Sequence, residues 1–330
     1  MKKLINNPNH VVDDALSGFL RANREIVRRS EKDPRAVVRT TIEANKVGIV
    51  IGGGSGHKPA FIGYVGEGMA DGVAIGNIFA SPSPYPILSA IQEVHQGNGV
   101  LLIYGNYSGD CMNFSMAAEL AELEDINVKQ IIVRDDVASA TKEEANRRRG
   151  IAGEFFVYKI AGAKAQEGCT LEEVFQTTEK ANNWVRSMGV GLTPCSLPQT
   201  GKPSFILGEN EMEFGLGVHG EPGVRKGPLL PARDVANELV NTICNDFDFE
   251  GSEVAVLVNG LGSTSLMELY IMYDNIAEEL EKRNIQIYRS FVGEYITSME
   301  MGGCSLTLLK LDEELKKLID KPAVTGCFKL

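Results

Sequence analysis

The sequence predicts an α/β protein built from two α/β domains. The first is a parallel sheet with helices on both faces, and the second a mixed sheet with helices. Three observations carry this. Short β-branched runs recur up to about residue 133, several leading through a glycine-bearing turn into a helical stretch, and that alternation builds parallel sheets. After Met188 strands dominate instead. The 330 residues, 43% hydrophobic and 23% charged, suffice for one large domain or two of ordinary size. The division falls near residue 187, giving domains 1–187 and 188–330.

Residues 9–22 read as an amphipathic helix with Asn9 as N-cap, because Val11, Ala15 and Phe19 stack at i, i+4 and i+8. The charged stretch 23–45 reads as surface. Val47–Ile51 is a β-branched run typical of a buried parallel strand. It leads into Gly52-Gly53-Gly54-Ser55-Gly56-His57-Lys58-Pro59, the kind of loop at which α/β sheets bind ligands. The loop matches neither the P-loop, nor the dinucleotide GxGxxG, nor the GxSxG elbow. A tight turn with a solvent-facing His57 remains the alternative reading.

Gly72–Gly76 is a second strand, followed by the turn Ser81–Pro86 and a helix from Ile87 to His95, where His95 is placed for capping. Gly99–Tyr104 is a third strand. It ends at Gly105-Asn106-Tyr107-Ser108-Gly109-Asp110, ahead of a helix over 111–123. Asp110 is a helix cap or a site residue; this stretch alone leaves both open. Val128–Val133 is a fourth strand. Arg147, Arg148 and Arg149 read as a solvated face or a contact for a phosphate or acidic partner. Thr170-x-x-Glu173 is a capping box opening a helix to about Val185, and Trp184 reads as core.

The second half reads as strands 189–197, 204–207 and 212–219, a helix at 232–245, a strand at 254–258, a helix at 265–283, and strands 285–296 and 305–311. Within 212–219, Met212, Phe214, Leu216 and Val218 point one way and Glu213, Gly215, Gly217 and His219 the other. The second face is nearly bare backbone with an imidazole at its end. That pattern fits a small cleft with His219 at its rim, or a packed histidine beside a glycine bulge.

The bulk numbers exclude other classes. A net charge of −11 lacks the basic footprint of a nucleic-acid surface. No apolar run reaches the length of a membrane span, and no apolar segment follows the basic N-terminus as in a signal peptide. The six cysteines are scattered without a CxxC pair. They read as free thiols of a cytoplasmic protein, with no metal site. Of four histidines, two, His57 and His219, sit in glycine-rich turns.

Taken together, Gly52–His57, Ser81–Pro84, Asn106–Asp110, Arg148–Gly150, Gly201–Pro203, Asn210–Glu213 and His219–Gly223 resemble, in order, the dihydroxyacetone-binding K subunit of dihydroxyacetone kinases. The resemblance covers most of the chain. It implies that His219 bonds covalently to the carbonyl carbon of a small ketose as a hemiaminal. It implies that Asp110 is the base for the reacting hydroxyl and that His57 hydrogen-bonds the substrate. Gly54, Ser55, Gly56 and Gly105 are then substrate-binding. No cofactor belongs to this chain. ADP or ATP with Mg²⁺ is held by a separate L subunit, which a phosphotransferase-system (PTS) protein recharges in some relatives. A homodimer is implied.

The chain departs from the family pattern at four residues and one segment. Gly105 replaces a lysine, Lys58 a glutamate, Tyr85 an aspartate and Glu154 a threonine, and the segment between Gly223 and Val254 is shorter than in many relatives. These changes lie around the binding loops and extend the expected substrate to a larger ketose such as a tetrulose. They also keep a second reading, a K-like ketone sensor that partners a transcriptional regulator.

Overall fold

Continuous apolar runs become the centre of a sheet because both faces are covered. In the computed structural model, which describes residues 2–330, four such runs form parallel strands. In chain order the first half contains α1 (Val11–Ala22), β1 (Val27–Arg29), β2 (Ala36–Arg39), β3 (Gly48–Ser55), β4 (Gly66–Glu67), β5 (Gly72–Ile78), α2 (Pro84–Val94), β6 (Val100–Gly105), α3 (Ser108–Glu122), β7 (Val128–Val133), α4 (Glu154–Ala165) and α5 (Leu171–Trp184). Its sheet has the order β1-β2-β5-β3-β6-β7. Strands β5, β3, β6 and β7 are parallel, and β2 and β1 extend the β5 edge antiparallel.

The period of two sorts side chains between the sheet's faces. Val50, Leu102 and Tyr104 pack under α2 and α3. Ile49, Ile51, Leu101 and Ile103 pack with α4 and α5. Helix α4 is buried on all sides, with only Lys164 of its twelve residues outside the buried set. It therefore shows no amphipathic period and went unread in the sequence.

The second half contains β8 (Val185–Thr193), β9 (Glu211–Phe214), β10 (Arg225–Pro228), α6 (Ala232–Asp246), β11 (Glu253–Gly260), α7 (Leu266–Lys282), β12 (Gln286–Glu294), β13 (Gly302–Leu311), α8 (Glu313–Asp320) and β14 (Val324–Thr325). Its mixed sheet has the order β10-β9-β8-β13-β11-β12, in which only β11 and β12 run parallel. Helices α6 and α7 cover one face. The chain then returns to the first half. Strand β14 pairs with β4, Leu315, Leu318 and Ala323 join the core under α4, and Cys327 donates its N–H to the Gly63 carbonyl.

Several expectations change. The first helix begins at Val11 with His10 as N-cap, and Asn9 is not the cap. The stretch 23–45 is not all surface. Strand β2 is fully buried, and Arg39 is buried against Asp71 at 3.0 Å with Lys46 on the same carboxylate. A buried charge is tolerable when paired in this way. The predicted strand 204–207 does not form. The stretch 212–219 is a strand only to Phe214, because Gly215 turns the backbone to φ +74° and gives its N–H to Gly189. Arg148 and Arg149 are neither a solvated face nor free for an anion. Arg148 binds both oxygens of Asp246, at 2.9 and 2.5 Å, and Arg149 binds Asp136. The Thr170–Glu173 capping box forms as expected, and Trp184 is half-buried against the core.

Candidate functional site

The triple glycine does not end a strand; it lies within one. Strand β3 continues to Ser55. Its glycines are required by packing. A Cβ on Gly52 would lie 2.5 Å from the Ala74 carbonyl oxygen, one on Gly53 would lie 2.4 Å from the Phe61 ring, and one on Gly54 would lie 2.8 Å from the Ala80 nitrogen. Gly56 then turns at φ +116° with the Phe79 ring 2.6 Å from where its Cβ would be. Only glycine suits such a turn, and it swings His57 inward.

Three bonds to the second half hold this loop's backbone. Met299 donates its N–H to the Gly56 carbonyl at 2.7 Å, Thr297 its N–H to the His57 carbonyl at 3.2 Å, and Thr297 its hydroxyl to the Lys58 carbonyl at 2.9 Å. The His57 ring is buried, and its Nδ1 lies 2.7 Å from the Thr297 carbonyl oxygen. A carbonyl only accepts, so Nδ1 carries the hydrogen and Nε2 keeps its lone pair.

His219 arrives in the turn after β9. Glu221 shapes that turn, taking the His219 N–H at 2.9 Å and the His219 Nδ1–H at 2.8 Å. Burial pushes the Glu221 carboxyl up, but hydrogen bonds and charge from His219 outweigh it and hold the group down at about 2. Nδ1 of His219 thus also carries hydrogen, and its Nε2 faces inward.

The two Nε2 atoms are 3.0 Å apart. With both Nδ1 atoms protonated, this contact is a hydrogen bond only when one ring holds a second proton. Burial first, then the charge of His219, lowers His57 to about 3, so the His57 ring itself is held neutral. Aromatic rings fence the pair. Phe79 stacks on His57 at 5.2 Å, and Phe79 and Tyr107 meet His219 edge-on at 5.1 and 4.9 Å.

Asp110 enters from the first turn of α3. It is not the N-cap, which is Tyr107. It is 8% exposed, and its Oδ1 is buried without a hydrogen-bond partner. Burial raises its carboxyl to about 6, with the Ser81 hydroxyl and His219 pulling it partly back. A carboxyl poised near neutrality in a cleft has the character of a general base.

These groups share one tight cleft, lined by Gly52, Gly53, Gly54, His57, Phe61, Gly105, Tyr107, Asp110, Gly150, Glu154, Val218, His219 and Ile296. Of the residues singled out from sequence, His57, His219, Asp110, Gly54 and Gly105 meet here. Ser55 and Gly56 do not line it; the Ser55 hydroxyl is engaged by the Gly76 carbonyl at 2.8 Å. Lys58 and Tyr85 are exposed and stand outside it. Tyr107 and Glu221 fell inside motifs of the resemblance but were given no role there, and Phe79 and Thr297 carried no sequence signal. Among the described residues no cluster of His, Cys, Asp and Glu has the geometry to hold a metal, and no helix is long and apolar enough to cross a membrane.

The chain as a whole is similar to known proteins. The Dak1 domain matches residues 17–327. The chain is 44% identical over 315 residues to the dihydroxyacetone-binding subunit DhaK of a PTS-dependent dihydroxyacetone kinase of Listeria innocua, covering 95% of each. It is 44% identical over its full length to a D-erythrulose kinase of Mycolicibacterium smegmatis, of which it spans 57%. Among solved structures, the dihydroxyacetone kinase operon co-activator Dha-DhaQ superposes with a TM-score of 0.89 at 35% identity, covering 96% of this chain and 97% of the other.

Proposed function

The chain belongs to the Dak1 family of dihydroxyacetone-binding kinase subunits, and on that premise we propose that it captures a small ketose covalently on His219 and presents it for phosphorylation. The observation that carries this is the convergence of His219, His57 and Asp110, from three separate segments, on one small cavity.

Capture begins with His219 as the neutral imidazole. Its Nε2 lone pair forms a bond to the ketone carbon, and the C=O π pair moves to oxygen. Nδ1 gives up its proton by way of the Glu221 carboxylate 2.8 Å away, which relays it to water, while the alkoxide oxygen takes one proton from water. One proton is lost and one gained, Glu221 ends as the carboxylate, and the product is a neutral hemiaminal. His57, with its Nε2 lone pair facing His219, accepts a hydrogen bond from the new hydroxyl. Capture of this kind selects a carbonyl compound over a polyol of the same size, which shape alone separates poorly.

Asp110 takes the proton from a terminal hydroxyl as that oxygen forms the new P–O bond. Nucleotide with Mg²⁺, when bound on a separate L subunit, supplies the phosphoryl group, and in PTS-dependent relatives a PTS donor recharges it. The chain acts as a homodimer docked to that subunit. The division into domains 1–187 and 188–330 belongs to the same proposal. The two sheets, whose strands run from Val27 to Val133 and from Val185 to Leu311, support a division near that point, while the tail after Leu311 packs back on the first half.

The test is carbon-13 NMR of dihydroxyacetone labelled at its carbonyl. Binding to the wild-type protein is expected to move the signal from the ketone range to that of a tetrahedral carbon, and His219→Ala to abolish the move. A bound ketose that keeps its ketone signal overturns the covalent step. A second reading, a ketone-responsive co-activator, is favoured by the likeness to Dha-DhaQ. Absence of phosphorylated product with a matching L subunit and nucleotide, alongside intact capture, would select it.

A further inference from the structure

Glu154 lines the same cavity as His57, His219 and Asp110, yet none of the steps above uses it. It is the first residue of α4 and is 3% exposed. Asp135 sets its place by taking the N–H groups of Ile151 and Gly153, both at 2.8 Å, which fixes the turn into the helix. Tyr158, one helical turn on, donates its hydroxyl to Oε2.

The other oxygen, Oε1, is wedged against two glycines. A Cβ on Gly105 would stand 2.4 Å from it and one on Gly150 2.8 Å. Tyr107 pins Gly150 by donating to its carbonyl at 2.9 Å. No hydrogen bond among the described residues engages Oε1. The two glycines therefore open a slot, and a carboxyl oxygen fills its end at the cavity wall.

We propose that Glu154 is a specificity-determining residue, whose Oε1 binds the substrate hydroxyl on the far side of the carbonyl from the one delivered to Asp110. The inference rests on the ketose-capture reading above. It narrows the ligand class to ketones carrying hydroxyls on both carbons that flank the carbonyl. Dihydroxyacetone and the tetruloses qualify, and hydroxyacetone does not.

Electrostatics supports the assignment. Burial raises the Glu154 carboxyl well above the usual range; the Tyr158 hydroxyl opposes this, and the charges of Asp135 and Asp110 add to it. Burial thus favours the neutral form. With Tyr158 donating to Oε2, Oε1 is the carboxyl oxygen left to meet a substrate hydroxyl. A buried polar atom left unmatched is costly, and a site built around one rejects the analogue that lacks the partner hydroxyl.

The experiment compares dihydroxyacetone with hydroxyacetone by calorimetry, for wild type, Glu154→Met and Glu154→Gln, with labelled-carbonyl NMR in parallel. Wild type is expected to favour dihydroxyacetone by about 10- to 100-fold. Glu154→Met, which fills the space without a polar atom, should collapse the ratio toward one. Glu154→Gln, which retains a polar group, should keep most of it. A wild-type ratio near one, or a ratio unchanged in folded Glu154→Met, overturns the assignment. Should Glu154→Met not fold, loss of the preference in Glu154→Gln overturns it instead. The NMR signal separates the two ideas. An unmoved ketone signal removes covalent capture, while the calorimetric ratio still decides Glu154.

Discussion

Replacing Asp110 with asparagine should make the protein more stable at neutral pH while removing its activity. Burial holds the folded-state carboxyl at about 6, above the ordinary 3.8. A carboxyl raised by folding contributes its full stability below the unfolded value and loses it as pH climbs through the folded one. The gap between the two values, at about 1.4 kcal/mol per pH unit, is worth about 3 kcal/mol. Roughly 2 kcal/mol of that develops between pH 4.5 and pH 8. Asparagine has no proton to lose, so Asp110→Asn should gain on wild type by about that amount over the interval. Urea denaturation at pH 4.5, 6 and 8 measures it, because all other titrating groups cancel in the difference. A difference between the two proteins that stays flat with pH would refute the burial argument. The same group, acting as base, must be ionised to work. Phosphoryl transfer should therefore fall away below about pH 6 in wild type, and drop by roughly 10²- to 10⁴-fold in the variant.

Glu221→Gln removes the charge beside His219 Nδ1 and should weaken ketose capture by about 10- to 100-fold, read by the labelled-carbonyl titration. Gly105→Lys places side-chain atoms where Glu154 Oε1 lies, 2.4 Å from the new Cβ. It should lower the melting temperature, and adding Glu154→Thr should recover most of the loss; additive losses in the pair would refute the collision. Arg148→Met removes a buried guanidinium that binds both oxygens of the half-buried Asp246. The cost should approach 3 kcal/mol by denaturant titration, with Arg186 at 2.7 Å retaining part of the charge balance.

The parts of this fold legible in the sequence are those whose burial is uniform or strictly alternating. Val100–Tyr104 and Val254–Val258 read as strands because every residue is apolar or β-branched and both faces are covered. Strands β1 and β2 were hidden by Arg28, Arg29 and Arg39, whose charges look like surface until Asp71 and Glu93 are seen beside them. Helix α4 was hidden for the opposite reason, since a helix buried on every side has no stripe. Its first residue, Glu154, registered only as a departure from a family pattern. The candidate site was legible where glycine turns held a histidine, at His57 and His219. It was not legible at Phe79, Tyr107 or Thr297, whose roles depend on what folds against them. Lys58 and Tyr85, neighbours of the site in sequence, are exposed and do not line it, so proximity along the chain was a poor guide to the cavity wall.

The Thr297 carbonyl sits in one half of the molecule and the His57 ring in the other. Their hydrogen bond, together with the Met299–Gly56 and Thr297–Lys58 bonds, means that the second half dictates which nitrogen of a first-half imidazole is basic. The reactive proton inventory is therefore a property of the seam between halves, not of either half alone. A substitution that loosens the seam, even one remote from the ketose, would free His57 to exchange tautomers and blunt the chemistry while leaving both sheets intact. The seam works as an interlock: the site is armed only when the two halves are in register.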